Sequence, residues 1–216
     1  MEFIKMFVDL VLHVDRHISL LIQNFGNWSY LVLFIIIFAE TGLVVTPFLP
    51  GDSLLFAVGT FAAIGSFDIV WLFVVLVSAS IIGDSVNYAI GKYFGDKAFR
   101  DGKSRFFRKE YLDKTHKFYE KYGGKTIILA RFVPIIRTFA PFVAGMGRMD
   151  YRYFITYNIV GGLLWVSLFL FCGYFFGNMP IIKENFAIAI YVIIVVSVLP
   201  IAIEFVKHHA AKKVKT

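Results

Sequence analysis

The segment TIILARFVPIIRTFAPFVAGMG, residues Thr126–Gly147, decides how this chain is arranged. It is apolar and long enough to cross a bilayer, which takes about 20 helical residues. It nevertheless carries Arg131 and Arg137 and is interrupted by Pro134 and Pro141. An arginine in hydrocarbon costs roughly 2.5 to 3.5 kcal/mol, and irregular backbone there must be buried in protein or line a wet cavity. We therefore expect a broken, re-entrant hairpin; the alternative is a proline-kinked span whose arginines reach the headgroups.

The composition places the chain in a membrane. Of its 216 residues, 58% are hydrophobic and 18% aromatic, and the mean hydropathy is +0.72, as in polytopic membrane proteins. The net charge of +7 comes from basic residues between apolar segments, so we expect no nucleic-acid partner. Cys172 is the only cysteine, and His13 and His17 have no third ligand beside them, so we predict no disulfide, metal site or cofactor. Interface anchoring or packing is the role expected of the three tryptophans, Trp28, Trp71 and Trp165.

The N-terminal part predicts a surface helix, a hairpin and a span. In residues 1–25 polar positions recur every three or four residues opposite an apolar face, which is typical of a helix lying in the membrane interface. Residues 30–65 are apolar but too few for two full spans, and they are interrupted by Pro47 and Pro50. They predict a first re-entrant hairpin, and residues 67–91 predict a transmembrane helix.

Basic residues set the topology. The linker 92–125 is strongly basic and contains an amphipathic stripe, and the tail 207–216 is basic too, so we place both in the cytoplasm. Two further transmembrane helices are predicted at 153–177 and 186–206. Both basic segments can lie on the cytoplasmic side only if 126–147 enters and leaves the membrane on the same face. The charge distribution therefore favours the hairpin and a cytoplasmic C-terminus.

The chain contains an internal repeat. One unit starts at Phe-Gly 25–26 and ends with GKYFG, Gly91–Gly95; the other starts at Tyr-Gly 122–123 and ends with GYFFG, Gly173–Gly177. Each has a broken hairpin followed by one span, and a full crossing separates the units, so the hairpins enter from opposite faces. Such inverted repeats place a substrate site near the bilayer midplane. The predicted fold is a single all-α polytopic membrane domain with two opposed re-entrant hairpins, about three transmembrane helices and interfacial amphipathic helices.

Four charged residues are expected to meet where the hairpins face each other: Glu40 and Asp52 from the first, Arg131 and Arg137 from the second. Two guanidinium forks beside broken backbone suit a phosphate group. A buried carboxylate can carry a proton; burial favours the neutral acid and a nearby arginine the carboxylate, so both forms stay open. The alternative is a four-charge lock that only joins the hairpins. Asp84 is a secondary candidate, either in a proton path or as a polar residue near a helix end.

These residues stand in motifs that resemble the bacterial DedA family of inner-membrane proteins. The motifs are Glu40-Thr41-Gly42 with Pro50-Gly51-Asp52, Gly83-Asp84 with Tyr88 and Gly91, and Arg131-Phe132-Val133-Pro134 with Arg137-Thr138 and Ala144-Gly145. The resemblance runs from about Tyr30 to Gly177 and implies transport linked to the proton motive force and a role in envelope maintenance. For some members it implies return of undecaprenyl phosphate, the lipid carrier of cell-wall synthesis, to the cytoplasmic leaflet. The family's acidic pair matches Glu40 and Asp52, and its arginine pair matches Arg131 and Arg137.

Residues and resemblance together predict a proton-linked transporter of a phosphate-bearing lipid in the bacterial inner membrane. In this prediction Arg131 and Arg137 bind the phosphate, and Glu40 or Asp52 carries the proton. A small-ion or drug/proton antiporter and a phospholipid scramblase stay open as alternatives. The sequence has no nucleophile elbow, zinc-protease motif or phosphatase constellation, so we predict no enzymatic activity and no catalytic residue. The expected partners are a membrane lipid and protons, with the chain acting alone or as a homo-oligomer.

Overall fold

The computed structural model describes residues 14–43, 51–101 and 124–177, together with 179–180 and 192. Within these residues the regular structure is helical throughout, which confirms an all-α polytopic membrane protein. The helices are α1 (Val14–Phe25), α2 (Ser29–Gly42), α3 (Gly51–Ala63), α4 (Ile69–Asp101), α5 (Lys125–Ala130), α6 (Pro134–Met146) and α7 (Tyr151–Phe176). A 3-10 turn, Gly26–Trp28, joins α1 to α2.

Long apolar helices account for most of the described chain. The segments that could cross a membrane by length and composition are His17–Gly42, Ile69–Gly95 and Tyr151–Phe176. The last two coincide with the spans predicted at 67–91 and 153–177. The third predicted span, 186–206, lies outside the described residues except for Val192, and the tail 207–216 lies outside them entirely. The same holds for residues 102–123 of the basic linker.

The N-terminal helix is bent away from the next one. Gly26 has a φ of 50°, a backbone conformation that favours glycine, and it separates α1 from α2. The Ser29 hydroxyl donates a hydrogen bond of 3.1 Å to the Leu21 carbonyl across this bend. Ile18 is only 2% exposed and packs in the main apolar core. Because residues 1–13 are not described, the interfacial placement of residues 1–25 stays a prediction.

The first hairpin is built from two half-length helices. α2 has 14 residues and α3 has 13, so each is about 20 Å long against a hydrocarbon core of about 30 Å. The segment between them, 44–50, contains both prolines of this region and lies outside the described residues. α3 is too short to span alone, whereas α2 is the last part of His17–Gly42, which is long enough to cross; the re-entrant hairpin at 30–65 therefore stays a prediction.

The second predicted hairpin has one interruption in its helical structure, between α5 and α6. α5 has only 6 residues, and Val133 is extended with φ −120° and ψ 105° before α6 begins at Pro134. A proline is favourable at the first helical position because its missing N–H is not needed there. The second break predicted at Pro141 is wrong, because that residue lies inside α6. Since Pro141 has no N–H, the Arg137 carbonyl loses its usual helical donor.

The second arm of the first hairpin packs against the long helix of the other unit. A Cβ added at Gly59 of α3 would overlap the carbonyl oxygen of Leu170 in α7, and one added at Gly173 of α7 would overlap that of Phe56 in α3. The two backbones therefore touch directly through a reciprocal glycine pair.

The second hairpin repeats this arrangement. A Cβ at Gly145 of α6 would overlap the carbonyl oxygen of Tyr88 in α4, and one at Gly91 of α4 would overlap that of Phe142 in α6. Each long helix, α4 or α7, thus packs against the second arm of the other unit's hairpin, α6 or α3, through a reciprocal glycine contact. Exchanged packing of this kind is what two structurally equivalent repeats would produce.

We expect Gly173→Ala and Gly91→Ala to destabilise the protein by about 1–3 kcal/mol, because the new methyl group meets backbone that cannot move aside. Gly162→Ala is a matched helical control, since its Cβ would lie 3.2 Å from the movable Cγ1 of Ile81. Thermal unfolding of the purified variants measures the difference. Equal unfolding temperatures for the Gly173 and Gly162 variants would contradict the packing described.

Candidate functional site

Arg137 joins the two hairpins. It lies in the first turn of α6, only 7% exposed, and its Nη1 donates to Asp52 Oδ1 at 2.6 Å. Its Nη2 donates to Glu40 Oε1. Glu40 stands in the last turn of α2 and Asp52 in the first turn of α3, so the carboxylates come from the facing ends of the two arms. One guanidinium therefore holds both arms of the opposite hairpin.

The Glu40 carboxylate is fixed by the start of α3. Its Oε1 also accepts the backbone N–H of Gly51 at 3.1 Å, a favourable place for an anion because it is the N-terminus of a helix. A Cβ at Gly51 would overlap Glu40 Oε2, so no larger residue fits there without displacing the carboxylate. Oε2 itself is buried and has no hydrogen-bond partner among the described residues. This oxygen is therefore the place in the cluster where a proton can be added without breaking a described contact.

Trp165 completes the Arg137 cluster. Its Nε1–H donates to Asp52 Oδ1 at 2.9 Å, and the Arg137 Cζ lies 4.9 Å from the centroid of its ring. Cation–π contact of this kind stabilises a guanidinium most when water is excluded, and Trp165 is 1% exposed. Trp28 and Trp71, at 70% and 66% exposed, fit the expected interface anchors. Of the two expected roles, anchoring and packing, Trp165 has the second, since it is buried in the main apolar core, and it is also a member of the site.

Arg131 has a different partner from the one predicted. It lies in the turn between α5 and α6, is 4% exposed, and its Nη1 donates to Ser80 Oγ at 2.5 Å. Its Nη2 donates to Asp84 Oδ2 and to Asn158 Oδ1. The expectation that Glu40 and Asp52 face both arginines thus holds for Arg137 only. Asp84 joins the four predicted residues as a fifth charge, and the hydrogen bonds divide the five into two clusters.

Asp84 is deep inside the protein. It lies in the interior of α4, which continues to Asp101, and it is 3% exposed. The interpretation that it is a polar residue near a helix end is therefore wrong, because the helix extends well beyond the end predicted at residue 91. Its ion pair with Arg131 ties α4 to the break in the second hairpin.

Two buried amides connect the clusters to the backbone. Asn87 Nδ2 donates to the Thr41 carbonyl at 3.0 Å and to the Thr138 carbonyl at 2.8 Å, so one side chain bridges both hairpins. Asn158 Nδ2 donates to the Ile81 carbonyl at 3.0 Å and to Ser85 Oγ at 3.3 Å. These contacts satisfy polar groups that would otherwise be costly in a dry interior.

Comparison with known proteins shows the family of this chain. The VTT domain matches residues 49–175. The chain is 57% identical over 213 residues to Protein DedA of Escherichia coli K12, covering 98% of this chain and 97% of that protein. The chain belongs to the DedA family. It is also 44% identical over 166 residues to an uncharacterised membrane protein of Mycobacterium leprae, covering 77% of this chain and 74% of that protein. Inner membrane protein YqjA of E. coli K12 is 33% identical over 152 residues, covering 70% of this chain and 69% of that protein. No solved structure matches the chain.

The DedA-like motifs lie at the two clusters or at the glycine contacts that position them. Gly83, beside Asp84, is so close to α2 that a Cβ there would overlap Thr41 Oγ1 and lie 3.0 Å from the Phe38 carbonyl oxygen. Gly161 approaches Arg131 in the same way, since its Cβ would lie 2.9 Å from the Arg131 Cδ. The glycines of this DedA family member therefore let backbone and charged side chains approach closely.

Proposed function

We propose that this protein is a proton-linked transporter of a phosphate-bearing lipid in the bacterial inner membrane. Its proposed substrate is undecaprenyl phosphate, which it would return to the cytoplasmic leaflet in support of envelope homeostasis. Membership of the DedA family supports a membrane role of this class. The observation that carries the proposal is the sharing of Arg137 by Glu40 and Asp52, at the point where the facing ends of α2 and α3 meet the start of α6.

The Glu40 carboxylate and the phosphate compete for Arg137 in this proposal. The cluster has two carboxylates and one guanidinium, so it carries one net negative charge unless one acid holds a proton. Protonation of Glu40 weakens its hold on Nη2, because a neutral acid attracts the guanidinium far less than a carboxylate does. The released N–H groups can then bind a phosphate oxygen. Loss of the proton restores the ion pair and expels the phosphate, which couples the two ligands.

The arginines also keep unused donors. The Nε of Arg131 and the Nε of Arg137 are both buried and have no hydrogen-bond partner among the described residues. Buried donors are normally paired, so a ligand oxygen would satisfy them. Arg131 would therefore serve as the second phosphate donor, with Asp84 as its resident counter-charge in the empty state. The tail of the lipid would stay in the bilayer beside the hairpins.

Transport in reconstituted vesicles tests this function. Wild type should move undecaprenyl phosphate faster when a proton gradient is applied, and Arg131→Ala and Arg137→Ala should each abolish the gain. Arg152→Ala, which removes an exposed arginine at the start of α7, is the control. Normal transport by both buried variants, with the proteins folded, would overturn the assignment. Proton-driven transport of an ion or drug with no dependence on lipid phosphate would instead identify the antiporter, and equal movement of ordinary phospholipids without a gradient would identify a scramblase.

No cofactor, metal or enzymatic step is part of the proposal. Among the described residues, three or more His, Cys, Asp or Glu side chains do not come together in a group that could hold a metal ion. Protons and the lipid are the proposed partners, and the chain is proposed to act alone or as a homo-oligomer with a cytoplasmic C-terminus.

A further inference from the structure

A cleft opens beside the Arg131 cluster, at the ends of α4 and α7 that lie nearest the basic linker. It has a volume of about 450 Å³ and is lined by Ser85, Tyr88, Ala89, Lys92, Tyr93 and Tyr151. Five of these residues lie on α4, with Ser85, Tyr88, Ala89 and Lys92 at the spacing of one helix face. A cleft of this size is in the range that holds a small ligand group.

The wall of the cleft is held in place. The Tyr88 hydroxyl donates to the Met149 carbonyl. The Tyr88 ring stacks on Phe154 with centroids 4.5 Å apart and lies 5.4 Å from the ring of Tyr151. Tyr88 is 3% exposed. The cleft is therefore a shaped feature of the α4–α7 contact and not a gap between loose side chains.

The side chains that line the cleft favour an anionic ligand. Lys92 and Tyr93 are exposed at the rim, and the described lining includes one cation and no carboxylate. The Lys92 ammonium group, with the hydroxyls of Tyr93 and Tyr151, offers donors to phosphate oxygens. The apolar ring faces beside them suit the first carbons of a lipid chain.

A hydrogen-bond path leads from the cleft to the buried arginine. Ser85, on the inner side, accepts a hydrogen bond from Asn158 Nδ2 at 3.3 Å, and Asn158 Oδ1 in turn accepts from Arg131 Nη2. Two side chains therefore separate the cleft from the Arg131–Asp84 ion pair. The cleft is therefore linked to the Arg131 cluster through Ser85 and Asn158.

We propose that this cleft binds the phosphomonoester group of the lipid on the side of the basic linker, where it takes the group over from Arg131 before release into the cytoplasmic leaflet. The inference rests on the proposed function and adds a binding step to it. Lys92 acts in release, and the buried arginines act in the crossing.

The test compares Lys92→Gln with Lys125→Gln, a matched control in which an exposed lysine of α5 outside the described cleft lining is changed. Full-length protein in phosphatidylcholine nanodiscs is titrated with undecaprenyl phosphate and, separately, with phosphatidylglycerol, a phosphodiester. One lysine near an anionic headgroup contributes about 1 kcal/mol, so Lys92→Gln should weaken undecaprenyl phosphate binding about five-fold. Lys125→Gln should leave it nearly unchanged. Equal effects of the two substitutions, or equally tight binding of phosphatidylglycerol, would overturn the proposal.

Two further readouts separate this inference from the transport function. In vesicles with undecaprenyl phosphate supplied in the leaflet on the linker side, Lys92→Gln should raise the lipid concentration needed for half-maximal exchange across the bilayer. If Arg131→Ala and Arg137→Ala abolish transport while Lys92→Gln leaves this concentration dependence unaltered, the cleft site is wrong and the function stands. Competition by inorganic phosphate would show that the free anion is recognised, and its absence would show that the lipid-bound group is needed.

Discussion

Arg137→Ala should destabilise the protein by about 3–5 kcal/mol, because it leaves two carboxylates buried without their counter-charge. Glu40 is 1% exposed and Asp52 9% exposed, so water does not replace the guanidinium. The Trp165 ring would also lose the cation above it. We expect a large fall in the unfolding temperature of the purified protein and complete loss of lipid transport.

A compensated variant distinguishes a structural lock from a transport site. Adding Glu40→Gln and Asp52→Asn to Arg137→Ala removes the uncompensated charges, and the amides keep the shape of the acids. Replacement of a buried ion pair by neutral groups is often nearly neutral in stability. We therefore expect the triple variant to regain most of the lost stability and none of the transport. Recovery of transport together with stability would show that the cluster is only a lock.

Glu40→Gln alone should reduce the transport rate at least about ten-fold while binding of the lipid becomes tighter. Glutamine imitates the protonated acid, so it releases Arg137 to the phosphate but cannot become charged again to expel it. Loss of one essential proton-transfer step typically costs 10²–10⁴-fold. Transport and binding are measured on the same reconstituted preparation.

Asp68→Asn is the control for this variant. Asp68 is exposed and caps α4, accepting from the N–H groups of Val70 and Trp71 at 2.9 Å. Asparagine caps a helix equally well, so this change removes a carboxylate charge without disturbing the fold. It should leave both readouts unchanged. A Glu40→Gln variant that transports at the wild-type rate would rule out Glu40 as the proton carrier.

Sequence rules predicted the helix break before Pro134 and the cluster of charges around Arg137. Pro134 begins α6 because proline fixes φ and needs no donor at a helix start. The meeting of Glu40, Asp52 and Arg137 followed from the repeat, which placed the two hairpins opposite each other. The same local rule failed at Pro141, because packing of α6 on α4 holds the helix through the proline.

The partners of Arg131 could not be predicted from the sequence, because they are set by tertiary packing. Helical spacing shows that Ser80 and Asp84 share a face of α4, but not that the break in the second hairpin lies against that face. Asn158 comes from a third element, α7, and its contact requires the register between two long helices. Gly161 and Gly162 of α7 leave room there for the Arg131 side chain and for the side chains of Ser80 and Ile81 on α4, and such close approaches leave no periodic signal.

Trp165 was missed for a related reason. A tryptophan in an apolar span is commonly an anchor or a packing residue, and the expected function of the sequence motifs did not require it. Its position is nevertheless informative: it lies in the interior of α7, Tyr151–Phe176, away from both ends where anchors belong. A buried indole N–H usually has an acceptor, so a mid-span tryptophan is itself a signal for a polar group nearby, here Asp52.

The decisive measurement is the affinity of undecaprenyl phosphate for wild type and for Glu40→Gln between about pH 6 and 9, the range over which proton uptake by the site is expected to change binding. The variant corrects for titration of the phosphate group itself. If one proton on Glu40 frees Arg137 for the phosphate, the ratio of wild-type to variant affinity should rise up to about ten-fold for each unit by which the pH falls. A ratio that does not change with pH would contradict competition between the Glu40 carboxylate and the phosphate for Arg137.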